Sequence, residues 1–493
     1  MSAYKQHLKI YNSLSSKKEA FKSINKDLVG MYVCGPTVYD TVHLGNCRTF
    51  ISFDLIYRYL KHLDYNVRYV RNITDVGHLT DDSSEDKIIK RARIEKIEPM
   101  EVVQKYTNEF HSILNFFKLQ NPDIEPTATG HIIEQIEMIE KIIKNGYAYD
   151  KNGSVYFDLI SFSKDFNYGE LSNRNFDDII NESRTLDGSS DKKNPQDFAL
   201  WKKANKSHIM KWRSPWGSGF PGWHIECSAM GHKYLGEKFD IHGGGLDLKF
   251  PHHDCEIAQS KSVYGNNPAN YWIHTNMLTL NGKKMSKSAG NSVLPFEIFN
   301  GSNNIFSKSY SPMVLKFFIY QAHYRNTLDL SDEALKASEK AYEKIKTIYK
   351  ELELIVPGNE NDCDAELWIK NCYSSMNDDF NSPILIAELF RVVKFINQVK
   401  DGLAGISDKN LKSLIYHINI FVFDILGLKN EIELGTEFEG KLKETVDILI
   451  KLRAEARLNK DFDLSDKIRD RLEEIGIQLN DGKGGTTFSI EKL

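Results

Sequence analysis

Val29-Gly30-Met31-Tyr32-Val33-Cys34 is an apolar run closed by the turn formers Gly35-Pro36-Thr37, and it reads as a buried strand. From about Thr49 to Leu63 the apolar residues Phe50, Phe53, Leu55, Ile56, Tyr59, Leu60 and Leu63 recur at helical spacing. Val67 to Ile73 is a second strand-like run, which closes a strand–helix–strand unit. Two buried parallel strands joined by a crossover helix predict a Rossmann-like, doubly wound α/β sheet. Such sheets hold their ligands outside the carboxyl ends of the strands. Cys34 and the residues just after it are therefore the first place to look for chemistry.

Outward from this unit the 493 residues suggest about three domains. Residues 1–145 form the first half of the α/β domain, helical in pattern from about Glu85 to Asn145. Residues 146–211 become rich in Gly, Ser, Asn and Asp and read as a loop-bearing insertion. The α/β character returns over 212–275. A basic loop region spans 276–325, and a helical bundle rich in Lys, Glu, Leu and Ile spans 326–431. Ile432 to Glu439 reads as a linker. A small C-terminal domain, 440–493, reads as two helices and a Gly-rich end.

The formal net charge of -4 excludes a basic nucleic-acid coat, so any RNA contact must use local basic surface. No apolar run approaches the ~20 residues that span a bilayer, and the run Ile420 to Leu428 contains Asp424. Met1 to Lys9 is polar and unlike a signal peptide, so no membrane partner and a cytoplasmic protein are expected. Six cysteines in a chain of this length make no disulfide framework, which leaves thiols for metal or catalysis.

Cys34 ends the first strand. Cys227 lies in Trp223-His224-Ile225-Glu226-Cys227, and His252 and Glu256 lie in Pro251-His252-His253-Asp254-Cys255-Glu256. If Pro251 opens a helix, His252 and Glu256 share one face and can ligate one metal. Thiolate with imidazole favours zinc over magnesium or calcium. Spacing alone leaves Cys255 and His253 as rival ligands, and no CxxC pair is present.

Two further stretches suit phosphate. His43-Leu44-Gly45-Asn46 follows a strand and turn and precedes a helix, whose N-terminus attracts anions. Asn281-Gly282-Lys283-Lys284-Met285-Ser286-Lys287-Ser288 is a Gly-tipped basic loop, and lysines act on a triphosphate as movable point charges.

In this order and separation, these stretches resemble the two signature motifs of class I aminoacyl-tRNA synthetases. The strings Tyr32 to Asp40, Arg71 to Asp75, Gly222 to Met230, Asp240 to Leu248 and Phe250 to His253 resemble cysteinyl-tRNA synthetases, and the resemblance runs from Leu8 to the tail. It implies one zinc ion per subunit on Cys34, Cys227, His252 and Glu256. It implies ATP with Mg2+ handled by His43, Asn46, Lys284 and Lys287, with adenine close to Gly45. It implies cysteine held by Gly35, Thr37, Thr74, Trp223, His224 and Asp247. The implied reaction activates L-cysteine as cysteinyl-adenylate and transfers it to tRNA(Cys). The implied enzyme is a monomer without an editing domain.

The 276–325 region then contacts the tRNA stem, and the tail binds the anticodon. In that tail acidic and basic residues balance, and Arg453, Arg457, Lys460 and Arg469 are the RNA candidates. Phe488 stands where the family usually has Trp; Phe can still stack on an unpaired base. A ligase joining cysteine to an amino sugar would share the metal and ATP residues but lack this tail. A non-catalytic RNA-binding relative would have lost His43 or Lys287.

Overall fold

Strand β1 spans Val29–Val33, every residue buried, and is followed by helix α1, Leu44–His62, and strand β2, Val67–Arg71. Strand β3 is Phe239–Gly245 and strand β4 is Ala269–Thr275. They form one parallel sheet in the order β4-β3-β1-β2, so the connections run both ways from the β1/β3 boundary. That boundary is the switch point of a doubly wound sheet. The computed structural model describes residues 2–26, 28–80, 83–175, 192–205, 208–285, 290–428, 432–482 and 485–490.

Helix α1 begins five residues before the periodic run suggests. His43 and Asn46 cap it reciprocally: the Asn46 N–H donates to His43 Nδ1 at 3.3 Å, and the His43 N–H donates to Asn46 Oδ1 at 3.2 Å. This His/Asn pair replaces the usual Ser/Thr and Glu of a capping box, which hid the start. The helix buries Phe50, Ile51, Phe53, Leu55, Ile56, Tyr59 and Leu60, each worth about 1.5–3 kcal/mol for full burial.

Helix α2, Trp223–Leu235, leads into β3, and helix α3, Asp254–Tyr264, follows it. In the turn before α3 only Phe250 departs from helical dihedrals, so the helical path opens at Pro251. The segment after residue 145 carries, between its loops, a five-stranded antiparallel sheet. It runs from Ala148–Lys151 and Ser154–Phe157 through Phe198–Lys203 to Trp212–Ser214 and Gly217–Pro221, beyond residue 211.

Helix Pro312–Tyr320 is buried from Met313 onward, Lys316 included. Lys316 Nζ meets Asp54 Oδ2 of α1 at 3.1 Å, Phe117 O at 3.2 Å and Gly427 O at 3.1 Å. Burial lowers its pKa to about 8, with Asp54 opposing. Arg48 of α1 donates to the carbonyls of Met277, His323 and Asn326. One helix thus anchors the segment after β4 and the start of the bundle.

Contacts divide the chain into Met1–Leu428 and Lys429–Leu493. In the second unit, residues read as a linker belong to helix Ile432–Leu458, because Ile, Leu and Glu there outweigh two glycines. Helix Phe462–Glu474 follows, and the Gly-rich end pairs as a hairpin, Ile477–Gly482 with Gly485–Ile490. Arg453 is buried, whereas Arg457, Lys460 and Arg469 are exposed; Phe488 packs by Val446, Leu472 and Ile477.

Candidate active site and metal centre

Beyond the carboxyl ends of β1 and β2 the backbone is closely paired. Thr37 and Thr74 bridge in parallel, and the Gly35 N–H donates to Asn72 Oδ1 at 2.9 Å. A Cβ on Gly35 would lie 1.6 Å from the Asn72 carbonyl oxygen. Gly35→Ala is therefore expected to lower the melting temperature and the affinity for cysteine together. Scanning calorimetry and a cysteine titration check this; an unperturbed variant would show that the close approach is dispensable.

Four donors converge here. Cys34 follows β1, Cys227 lies in the first turns of α2, and His252 and Glu256 lie one turn apart entering α3. One ligand atom from each lies within 4.8 Å of the others, and all four residues are buried. A tetrahedral ion with bonds of about 2.0–2.3 Å sets its donors about 3.3–3.8 Å apart. Cys34 Sγ lies 3.8 Å from Cys227 Sγ and 3.8 Å from Glu256 Oε1, and His252 Nε2 lies 3.2 Å from Glu256 Oε1. The set fits a soft divalent cation.

The electrostatics agree. The Cys34 thiol donates to Cys227 and, with His252, brings the Cys227 pKa down to about 6. Burial pushes Cys34 well up. Burial opposes charge on His252, yet Cys227 and Glu256 raise it to about 10; burial works upward on Glu256, yet His242 and His252 hold it at about 2. A thiolate and a carboxylate held out of water need positive charge, which the His252 imidazolium supplies in part and a metal ion would supply in its place.

The rival ligands separate. Cys255 turns away into the second hydrophobic core, with its sulfur 3.4 Å from Tyr168 Oη. His253 stays, with Nε2 3.3 Å from Cys34 Sγ and Nδ1 2.9 Å from His274 Nε2. Cys34, His242, His253 and Glu256 form an overlapping candidate set. His242 Nε2 lies 2.8 Å from Glu256 Oε2, the way an outer partner orients a ligating carboxylate.

Of the residues expected around the amino acid, Trp223 and His224 lie against His252. Trp223 is half-buried, its ring 4.5 Å from His252 and 4.0 Å from His78. That exposure is unlike a core tryptophan. His224 Nδ1 lies 2.9 Å from His252 Nδ1. The Thr74 hydroxyl donates to Glu226 Oε2 at 3.0 Å. Asp247 is exposed in the turn after β3, folded back toward Gly245. Asn72, His78, Lys87, Glu226 and His242 escaped sequence reasoning, although Asn72, Glu226 and His242 sit inside strings that carried the resemblance.

His43 and Gly45 open α1, half-buried, and Asn46 is exposed there. Lys284 is exposed on a hairpin, Leu278–Leu280 with Lys283–Lys284, turned by Asn281-Gly282. The start of α1 is tied to the segment after the second motif through the Leu44 N–H, which donates to Val293 O at 3.0 Å. Lys287 lies outside the described residues. Among those described, no helix is long and apolar enough to cross a membrane.

Comparison with known proteins bears on this site. The family model described as "tRNA synthetases class I (C) catalytic domain" matches residues 20–340, and the DALR domain matches 372–430. The chain is 52% identical to the cysteine–tRNA ligase of Bacteroides thetaiotaomicron over 98% of its own length and 99% of that protein. It is 53% identical to the cysteine–tRNA ligase of Phocaeicola vulgatus over the same shares. A methionyl-tRNA synthetase of Mycobacterium tuberculosis bound by methionyl-adenylate superposes with a TM-score of 0.58 at 13% identity, over 81% of this chain and 92% of that one; it shares the fold. Sequence strings, sheet and family model agree that the chain belongs to the class I tRNA synthetases, in the cysteine–tRNA ligase family.

Proposed function

We propose that the protein is a cysteine–tRNA ligase. The cysteine carboxylate attacks the α-phosphorus of ATP, pyrophosphate leaves, and cysteinyl-adenylate forms. The terminal ribose hydroxyl of tRNA(Cys) then attacks the acyl carbon, and AMP leaves. The observation that carries the reading is the buried set Cys34, Cys227, His252 and Glu256 beside Thr37, Thr74 and Trp223.

Zinc is the ion this donor set suits. When bound, it would favour coordination of a substrate thiolate over a hydroxyl. A site that demands one specific bond discriminates strongly, so serine and alanine are rejected without an editing step. Gly35, Thr37, Thr74, Trp223, His224 and Asp247 orient the amino acid. His43, Asn46 and Lys284, with Lys287, hold the phosphates of Mg2+–ATP, where charge stabilisation matters more than covalent chemistry. Gly45 leaves room for the adenine at the start of α1. The tail with Arg457, Lys460 and Arg469 takes the anticodon. The proposed enzyme is a cytoplasmic monomer.

The test is cysteine-dependent exchange of pyrophosphate into ATP, followed by charging of tRNA(Cys). Both are expected. Exchange without charging would indicate the amino-sugar ligase instead, and no exchange with pure, metal-loaded protein would sink the reading.

A further inference from the structure

Behind Thr37 runs a chain of side chains that neither the phosphate motifs nor the metal donors use. Thr37 Oγ1 lies 2.7 Å from His78 Nδ1, and His78 Nε2 lies 2.7 Å from Lys87 Nζ. The His78 ring stacks on Trp223, with centroids 4.0 Å apart and planes at 14°. Lys87 is itself held: its backbone N–H donates to His78 O at 2.9 Å, and Nζ lies 5.5 Å from the centre of the Tyr39 ring.

The polarity of this chain follows from its first member. An ammonium only donates, so His78 Nε2 accepts, and a neutral imidazole then carries its proton on Nδ1. Burial, with Lys87 beside it, keeps the ring neutral by holding its pKa down at about 2. Nδ1–H donates to Thr37 Oγ1, which turns the threonine's own O–H outward. Thr74, abreast of Thr37, is wired differently. Its hydroxyl donates to Glu226 Oε2 at 3.0 Å and accepts from Asn72 Nδ2 at 3.1 Å. The Asn72 amide is oriented by the Gly35 N–H, which donates to its Oδ1.

We propose that Lys87 and His78 are positioning residues that act through Thr37, aiming its hydroxyl as a hydrogen-bond donor at the carboxylate of the amino-acid substrate. The proposal rests on the reading that cysteine binds between Thr37, Thr74 and Trp223. A carboxylate only accepts, and an α-ammonium only donates. Thr37 therefore matches the first and disfavours the second. Thr74, with its hydrogen committed to Glu226, keeps acceptor capacity for the ammonium. The pair admits the zwitterion in one orientation.

The test uses the full-length, metal-loaded enzyme in pyrophosphate exchange, with 3-mercaptopropionate and cysteamine as inhibitors. The first keeps thiol and carboxylate; the second keeps thiol and amine. His78→Phe retains a ring against Trp223 and removes both nitrogens. It is expected to raise the KM for cysteine about tenfold and to weaken 3-mercaptopropionate equally. Cysteamine inhibition, the KM for ATP and bound metal are expected to stay unchanged. Thr37→Val should match it, and the double variant should be no worse than Thr37→Val alone. Lys87→Met, which keeps the ring, should shift KM in the same direction, and it decides the question if His78→Phe does not fold. If Thr37→Val leaves the KM for cysteine unchanged, the site reading and the proposal fail together. If Thr37→Val weakens cysteine while the His78 and Lys87 variants do not, or weaken cysteamine equally, the proposal alone fails.

Discussion

Cys227→Ser is expected to emerge from purification without its metal and with the KM for cysteine raised on the order of a hundredfold or more. Losing an outer partner of a metal ligand already costs about 10–100-fold in affinity, and Cys227 is proposed as a direct donor. Its sulfur lies 3.8 Å from Cys34 Sγ, and the Cys34 thiol, with His252, lowers its pKa, which favours the thiolate that a metal binds. A serine hydroxyl is not ionised at neutral pH and is a harder, poorer zinc donor. The phosphate motifs sit on the start of α1 and on the hairpin after β4, so the KM for ATP should hold. Metal analysis and exchange kinetics check this. A full metal complement in Cys227→Ser, with its loss in His253→Ala, would move the ion to the overlapping set of Cys34, His242, His253 and Glu256.

Lys316→Met should cost about 3 kcal/mol of stability, the lower end of what breaking a buried ion pair costs. Removing Nζ leaves the carbonyls of Phe117 and Gly427 without this donor. Asp54 keeps Arg58 Nε at 2.7 Å and the Gln120 N–H at 2.8 Å, which is why the lower end applies. For a domain of this size the melting temperature falls by several degrees. Exchange activity well below the transition should persist, because Lys316 touches none of the substrate residues. Calorimetry on the metal-loaded protein reads the shift; an unshifted transition would mean that the buried ammonium does not hold α1 to the helices after it.

The strand–helix–strand unit from Val29 to Arg71 was legible because strong apolar runs and period-3.6 spacing coincide there. The candidate metal donors were legible mainly through resemblance, since only His252 and Glu256 carry a local spacing signal and Cys34 and Cys227 carry none. Spacing could not dismiss Cys255; only the packing of α3, which turns its sulfur to Tyr168, does that. The antiparallel insertion was missed because its strands are short and interrupted by Gly, Ser and Asn, so period-two alternation never accumulates. Residues 432–439 looked like a linker because Gly435, with Gly440 just beyond, weakens a helical signal that adjoining residues sustain. His78 was invisible because its importance lies in which atoms it joins.

The parallel order β4-β3-β1-β2 also dictates when the metal can be captured during synthesis. Cys34 and Glu256 are 222 residues apart, and β3 must pair beside β1 before the start of α3 can reach the end of β1. A nascent chain that has delivered only the first strand, the crossover helix and the antiparallel insertion to the ribosome exit holds a single member of the donor set, Cys34, and no closed cage. An ion held by this set therefore cannot be captured before residue 256 has emerged, and its capture would follow the pairing of β3 with β1 rather than seed it.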